Sequence, residues 1–155
     1  MNIKPGIGVG PAKFGMTEVE ITKLFGEPDI IEQEEYIEGK GDWHRVLCCQ
    51  KLHINFTFDK EDEYRLGTIT IEGPNILVFD RDLFGLAKAD VISFITSVSN
   101  KIGNEEDFTF DEERSLECID YDGLGILLWF KSGNLCKIEC SYLFESNNET
   151  VIWPK

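Results

Sequence analysis

Apolar and polar residues alternate along much of the first half of the chain. Within the range from Ile30 to Glu72, apolar side chains recur at every second position around 54–58 and 69–71, and polar side chains such as Asn55 and Thr57 stand between them. A period of two is typical of antiparallel strands that bury one face. The run Gly39-Lys40-Gly41-Asp42 predicts a hairpin between strands near 30–37 and 43–49. The pattern predicts about four strands. The clearest apolar positions are Ile54, Phe56, Phe58, Ile69 and Ile71.

A short helix is predicted directly before these strands. Thr17 and Glu20 have the spacing of a capping box, which places the first turn here. Gly26 followed by Pro28 supplies a stop signal. The apolar residues close to one helical stripe are Val19, Ile21, Leu24 and Phe25.

The same order of elements recurs in the second half. Phe84-Gly85-Leu86 matches Phe14-Gly15-Met16 seventy residues earlier, and it again precedes an amphipathic run, here closed by Gly103. We therefore predict an α+β fold. It is a single domain, 1–155, made of two tandem repeats at about 1–78 and 79–155, each a short helical segment on an antiparallel sheet of about four strands. The apolar positions of the second helix and of a later strand are Val91, Phe94, Ile95, Val98, Ile102, Ile126, Leu128 and Phe130.

The charge of the chain narrows the choice of partners. The chain contains 15 Lys and Arg and 29 Asp and Glu, which gives a formal net charge of −14. Residues 1–80 hold 8 basic and 15 acidic side chains and residues 81–155 hold 7 and 14, so each part carries −7. Such a charge repels phosphate backbones and anionic lipid. We expect basic proteins or cations as partners, and neither nucleic acid nor membrane.

The amino terminus and the cysteines bear on the compartment. The first ten residues contain no apolar run of the kind that a secretory signal requires. Five cysteines, two of them adjacent at Cys48 and Cys49, are more typical of reduced thiols than of a disulfide framework. We expect a cytoplasmic protein.

The opening motif of the first half resembles that of a known group of proteins. Phe14-Gly15-Met16-Thr17, then Leu24-Phe25-Gly26 and Pro28-Asp29, is similar to the opening shared by the β-lactamase inhibitory protein and the small lipoprotein domain of the outer-membrane assembly machinery. The resemblance implies tandem repeats that present a concave sheet to a partner protein. Two departures are the missing signal sequence and cysteines that do not pair within each repeat.

A catalytic or metal site is not expected. His44 and His53 fall in different strand segments, and no Ser or Cys stands in a recognised nucleophile motif beside them. Cys48 and Cys49 are adjacent and so point to opposite faces of a strand, whereas Cys136 and Cys140 share a face but sit among core residues. The acidic runs 105–107 and 111–113 lack the spacing of an EF-hand. We expect no catalytic residue, cofactor or metal; an enzyme of unrecognised type is the remote alternative.

Binding to a protein is better supported by the pattern. Trp129 stands opposite the apolar face of its strand, and Trp43 follows Asp42 at the hairpin tip. Exposed tryptophans are common interface anchors, and neighbouring carboxylates can hold Arg and Lys from a partner. The alternative for each tryptophan is packing inside the fold. The candidate partner-binding residues are Glu34, Glu35, Tyr36, Asp42, Trp43, Asp120, Tyr121, Asp122 and Trp129.

An acidic binding protein of this size is similar to the immunity proteins that protect bacteria from delivered toxins, many of which are basic nucleases. The resemblance implies an inhibitor that binds and neutralises a cognate basic toxin without cofactor or turnover. The alternative is a scaffold or assembly protein for an endogenous partner. We expect a monomer or a weak homodimer formed through an open sheet edge.

Overall fold

The computed structural model describes residues 1–107 and 116–155, and within them the chain is α+β with mostly antiparallel sheets and two α-helices. The acidic run 111–113 lies outside the described residues. In the first part of the chain the elements, in order, are β1 (Asn2–Lys4), β2 (Gly8–Val9), β3 (Ala12–Lys13), α1 (Glu18–Phe25), β4 (Ile30–Glu35), β5 (Trp43–Cys49), β6 (Ile54–Asp59) and β7 (Arg65–Ile71).

The remaining elements follow after a short connection. In order they are β8 (Leu77–Val78), β9 (Arg81–Asp82), α2 (Lys88–Ser99), β10 (Asn104–Asp107), β11 (Leu116–Tyr121), β12 (Ile126–Lys131), β13 (Asn134–Ser141), β14 (Leu143–Phe144) and β15 (Val151–Ile152). Single 3₁₀ turns at Gln50–Leu52, Lys60–Asp62 and Asp122–Leu124 join neighbouring strands.

Eight strands form the main sheet, in the order β10-β11-β12-β13-β7-β6-β5-β4. Every neighbouring pair is antiparallel, including β13 with β7 at the centre, where Glu139 lies opposite Thr70. A smaller sheet has the order β3-β2-β1-β8-β9, with β1 parallel to β8, and β14 pairs with β15. The predicted hairpin at 39–42 is confirmed by the pairing of β4 with β5.

The hydrophobic core covers one face of the main sheet, which we call the core face. Phe56 and Phe58 of β6 and Phe130 of β12 are completely buried there. Both helices pack on this face: the rings of Phe25 and Phe56 lie 4.8 Å apart, and α2 buries Val91 and Ile95. We call the opposite face of the main sheet the polar face. It carries the residues that alternate along each strand with the buried ones, as the sequence predicts.

Helix α1 begins where the sequence predicts. The Glu20 N–H donates to Thr17 Oγ1 at 3.4 Å and the Thr17 N–H donates to Glu20 Oε2 at 2.8 Å, which completes the capping box. Helix α2 ends earlier than expected. Asn100, with a left-handed φ of +55°, caps it, so Gly103 is not the stop and Ile102 is 88% exposed.

The glycine-rich opening is more ordered than its composition suggests. It forms the short strands β1 to β3 of the small sheet and buries Ile3 and Val9. Gly8 has φ +152°, and a Cβ there would lie 1.9 Å from the carbonyl oxygen of Ala12. The close approach of β2 and β3 therefore requires glycine at this position.

The two matching tripeptides make matching backbone contacts. The Gly15 N–H donates to the Leu66 carbonyl and the Leu66 N–H donates to the Met16 carbonyl. In the second half, Gly85 and Leu86 make the same two bonds with Leu135. Each tripeptide thus fastens the start of its helix to a strand of the main sheet.

No helix in the described part of the chain combines the length and apolar character needed to cross a membrane.

Candidate binding surface at the sheet edge

The predicted binding residues fall in two separate places. Glu34, Glu35, Tyr36, Asp42 and Trp43 lie together at the β4–β5 hairpin, at one edge of the main sheet. The other candidates lie on or beside β11 and β12, four to six strands away from β5 and β4. At about 4.8 Å per strand the two groups are separated by roughly 20–30 Å, so they do not form one site.

Two carboxylates of the hairpin group shape the loop. Glu35 accepts a hydrogen bond from the Gly39 N–H, and Asp42 Oδ1 accepts one from the Ile37 N–H at 3.1 Å. Each bond satisfies a backbone donor that the turn leaves without a ladder partner. Glu35 and Asp42 therefore hold the loop conformation, a role that their spacing alone does not reveal.

Tyr36 fastens the same loop to the polar face. Its ring stacks on His44 with centroids 4.0 Å apart, and its hydroxyl donates to Asp59 Oδ1 at 2.5 Å. Partial burial, followed by this bond to a carboxylate, raises the pKa of the Tyr36 hydroxyl. Although Tyr36 is 56% exposed, its side chain is held in place by β5 and by the end of β6.

The two histidines do not meet. His44 lies opposite Asp59 in the β5–β6 ladder, whereas His53 precedes β6 and lies at the other end of that ladder. The Nδ1 of His44 is buried and has no hydrogen-bond partner among the described residues. No pair of histidines is therefore available for acid–base chemistry.

Trp43 lines a shallow hollow of about 340 Å³ at the outer end of the hairpin. It is 36% exposed, and Glu34, Glu35 and Glu38 also line the hollow. No lysine or arginine is among the described residues that line this hollow. An indole face beside several carboxylates suits a cationic side chain, which gains both a cation–π contact and charge-assisted hydrogen bonds. Glu38 was not among the predicted residues, although its place in the hairpin loop could have indicated it.

The nearest basic side chain of the strand pair is already occupied. Arg45 donates from Nε and Nη2 to Glu18 Oε2 and Oε1 at 2.9 and 2.8 Å, and from Nη1 to Gln33 Oε1 at 2.9 Å. These bonds join α1, β5 and β4. Arg45 is not among the described residues that line the hollow.

The second group of candidates is only partly available. Asp120 and Asp122 line a groove of about 350 Å³ on the polar face, together with Leu127 and Phe144. The prediction for Tyr121 is wrong, because this residue is 2% exposed in the core. Tyr121 pairs with Ile126 on the core face. Because side chains alternate along β11, the side chain of Asp120 points to the other face of the sheet. The alternation of Ile119 and Tyr121 with Asp120 and Asp122 was the signal for this.

Trp129 lies on the polar face as predicted, but its indole is engaged within the fold. Its Nε1 donates to Glu139 Oε2 at 3.2 Å, and Lys137 Nζ lies 4.9 Å from its ring centroid. The side chain is half-buried. Trp43 is therefore the better placed of the two tryptophans to receive a partner.

The cysteines give no metal centre. Among the residues that the structure describes, no group of three His, Cys, Asp or Glu side chains could hold a metal ion. The expectation that Cys136 and Cys140 share a face is wrong. A β-bulge opposite Trp129 and Phe130 breaks the alternation, so Cys136 lines a hollow with Trp129 and Lys137 while Cys140 is buried in the core.

Comparison with known proteins identifies no relative of this chain. No protein-family model matches the chain, and no curated protein or solved structure matches it significantly.

Proposed function

We propose that the protein is an acidic binding module that acts as an immunity protein, holding and neutralising a basic toxin domain. One observation carries the proposal: an exposed tryptophan, Trp43, lines a hollow together with Glu34, Glu35 and Glu38, and no basic residue is among its described lining. Such a hollow is complementary to a lysine or arginine of a partner.

The charge of the whole chain supports the same partner. With a net charge of −14, the protein attracts a basic domain at long range, which raises the association rate. This attraction is screened by salt, whereas the contacts inside the hollow are less so. In this proposal, binding occurs in the cytoplasm and requires neither a cofactor nor turnover.

The test is capture of the partner from the lysate of the native cell at low and high salt, with identification by mass spectrometry. We expect one basic protein that is held at low salt and weakened by added salt. Capture of several neutral proteins, or of the protein alone, would overturn the proposal.

Variants of the hollow sharpen this test. Trp43→Ala should lower affinity for the captured partner at least about tenfold, as is typical of an interface anchor, whereas Trp43→Phe should retain part of it. The double variant Glu34→Gln/Glu38→Gln should also weaken capture of the partner. Glu145→Gln/Glu149→Gln removes the same charge from exposed positions elsewhere and is the matched control.

A second candidate is a scaffold or assembly protein that associates through β4. This edge strand exposes the apolar side chains of Ile30 and Ile31, and among residues 1–107 and 116–155 no strand pairs with its outer side. Sedimentation of the purified protein distinguishes the two. A stable dimer favours assembly, and a monomer favours the immunity proposal.

We also propose that the two halves are tandem repeats, each contributing four strands to the main sheet. The support is the pair of matching contacts: Gly15 and Met16 bond Leu66, as Gly85 and Leu86 bond Leu135. The order β10 to β13 beside β7 to β4 is also the one that two side-by-side units would give. The likeness to the β-lactamase inhibitory protein stays a prediction.

A further inference from the structure

Among the described strands, none pairs with the outer edge of β4. β4 is the last strand in the order of the main sheet, and its residues are almost all exposed. Within the described ranges, only β5 pairs with it, on its inner side. An open edge offers a row of backbone donors and acceptors to another chain.

The register shows which backbone groups face outward. The Tyr36 N–H donates to the Asp42 carbonyl at 3.3 Å, and this pair continues the β4–β5 register of Glu34 with His44. In an antiparallel ladder, bonded and non-bonded pairs alternate. Glu32 and Glu34 therefore bond to β5, whereas Ile31, Gln33 and Glu35 direct their N–H and C=O groups away from the sheet.

We propose that an extended basic segment of the partner adds to β4 as a ninth strand of the main sheet. This deepens the proposed function and rests on it, since it states how the basic partner is held. Main-chain bonds to Ile31, Gln33 and Glu35 supply the pairing, and side chains supply the specificity.

The side chains of β4 define the sequence of that segment. Glu32 and Glu34 lie on the polar face and Glu35 on the other, so one end of β4 is acidic on both sides. The opposite end carries Ile30 and Ile31. The partner strand therefore has Lys or Arg beside the acidic end, where the Trp43 hollow takes one of them, and apolar residues beside the isoleucines.

Charge disfavours a second copy of this chain as the occupant. Antiparallel pairing of two β4 strands would bring together six carboxylates, three from each copy, within two molecules that each carry −14. A basic strand meets attraction in the same places.

The test uses the full-length protein, labelled with nitrogen-15, and a synthetic peptide of sequence Val-Ile-Val-Lys-Val-Arg-Val-Lys. The control is the same peptide with every internal backbone nitrogen methylated, which keeps every charge and cannot donate to β4 from either edge. We expect the amides of Ile31, Gln33 and Glu35 to gain at least about tenfold protection from hydrogen exchange. Glu32 and Glu34, already bonded to β5, should change little, and the methylated peptide should bind at least about tenfold more weakly.

Substitution at Gln33 tests the same point from the other side. Gln33→Pro removes an outward donor without removing a β4–β5 bond, and Gln33→Ala is the matched control because both variants lose the bond from Arg45. Gln33→Pro should abolish peptide binding and Gln33→Ala should keep it. If the proline variant does not fold, the methylated peptide still decides.

The other outcomes separate this inference from the proposed function. Equal binding of the two peptides overturns strand addition and leaves binding of a basic partner intact. Binding of neither peptide, with salt-sensitive capture from the lysate retained, also overturns strand addition alone. Protection of the same three amides that depends on protein concentration without peptide would identify a second copy as the occupant and overturn the proposal.

Discussion

The ion pair between Glu18 and Arg45 fixes α1 to the strands beside the open edge, and its strength can be measured. The guanidinium makes two bonds to the carboxylate, at 2.9 and 2.8 Å, and the two side chains are 31% and 29% exposed. The perturbation is a double-mutant cycle with Glu18→Gln, Arg45→Met and the combined variant.

The expected coupling follows from this geometry. Exposed single-contact pairs contribute about 0.2–1 kcal/mol, and charge-assisted hydrogen bonds contribute about 1.5–3 kcal/mol where they are protected from water. Because a third of each side chain reaches solvent, we expect a coupling of about 1–1.5 kcal/mol between Glu18 and Arg45.

The chain contains a matched control. Lys137 and Glu139 are 32% and 30% exposed, but their charged atoms are 3.8 Å apart in a single contact. The same cycle there should give a coupling below about 0.5 kcal/mol. Arg45→Met should also cost more than Glu18→Gln, since Arg45 in addition bonds Gln33.

Urea unfolding at pH 7, at low and at high salt, measures the free energy of unfolding for each member of the two cycles. The reasoning is refuted if the Glu18–Arg45 coupling does not exceed that of the control pair. It is also refuted if Arg45→Met and Glu18→Gln cost the same.

Three further outcomes follow from the ionisable groups. Partial burial, then the carboxylates of Asp59 and Glu61, raise the pKa of Asp62 despite the bond from Tyr142, so the folded state loses stability as pH rises through the acidic range. Urea unfolding should therefore show that Asp62→Asn is more stable than the wild type at pH 7, and that the difference shrinks as the pH falls toward 3. Burial and bonds to carboxylates raise the pKa of Tyr36 and Tyr142, so stability should fall above pH 10, where the unfolded chain ionises first, and Tyr36→Phe should remove a late step from the absorbance titration at 295 nm. Cys136 is half-buried and Cys140 is 2% exposed, so a thiol reagent followed by peptide mapping should modify Cys136 at least about tenfold faster; equal rates would contradict the packing of β13.

The parts of the fold that the sequence predicts are those encoded locally. The alternation around Phe56 and the capping box at Thr17 are each contained within a few residues, and the structure confirms both. The end of α2 was missed because Asn100 adopts the left-handed conformation that Gly103 was expected to supply. The face of Cys136 was missed because a bulge is a property of two paired strands and leaves no mark in one.

The candidate site divides in the same way. The hairpin residues from Glu34 to Trp43 came together because they are neighbours in the chain. The bond from Tyr36 to Asp59 joins residues 23 positions apart, and no local pattern indicates it. Tyr121 lies two residues after Ile119, so both side chains point to the same face of β11, and this spacing could have indicated that Tyr121 is buried. Its pairing with Ile126 shows that this face is the core face.

The central pairing of β7 with β13 has a consequence for the symmetry of the chain. If Leu66 and Leu135 are equivalent, so are Thr70 and Glu139, and these two lie directly opposite each other. The halves are then related by a local dyad through the middle of the sheet. In the tandem-repeat proposal, a lone half would leave the edge of β7 without its partner β13, and a symmetric dimer of half-length chains would cover that edge in the same way.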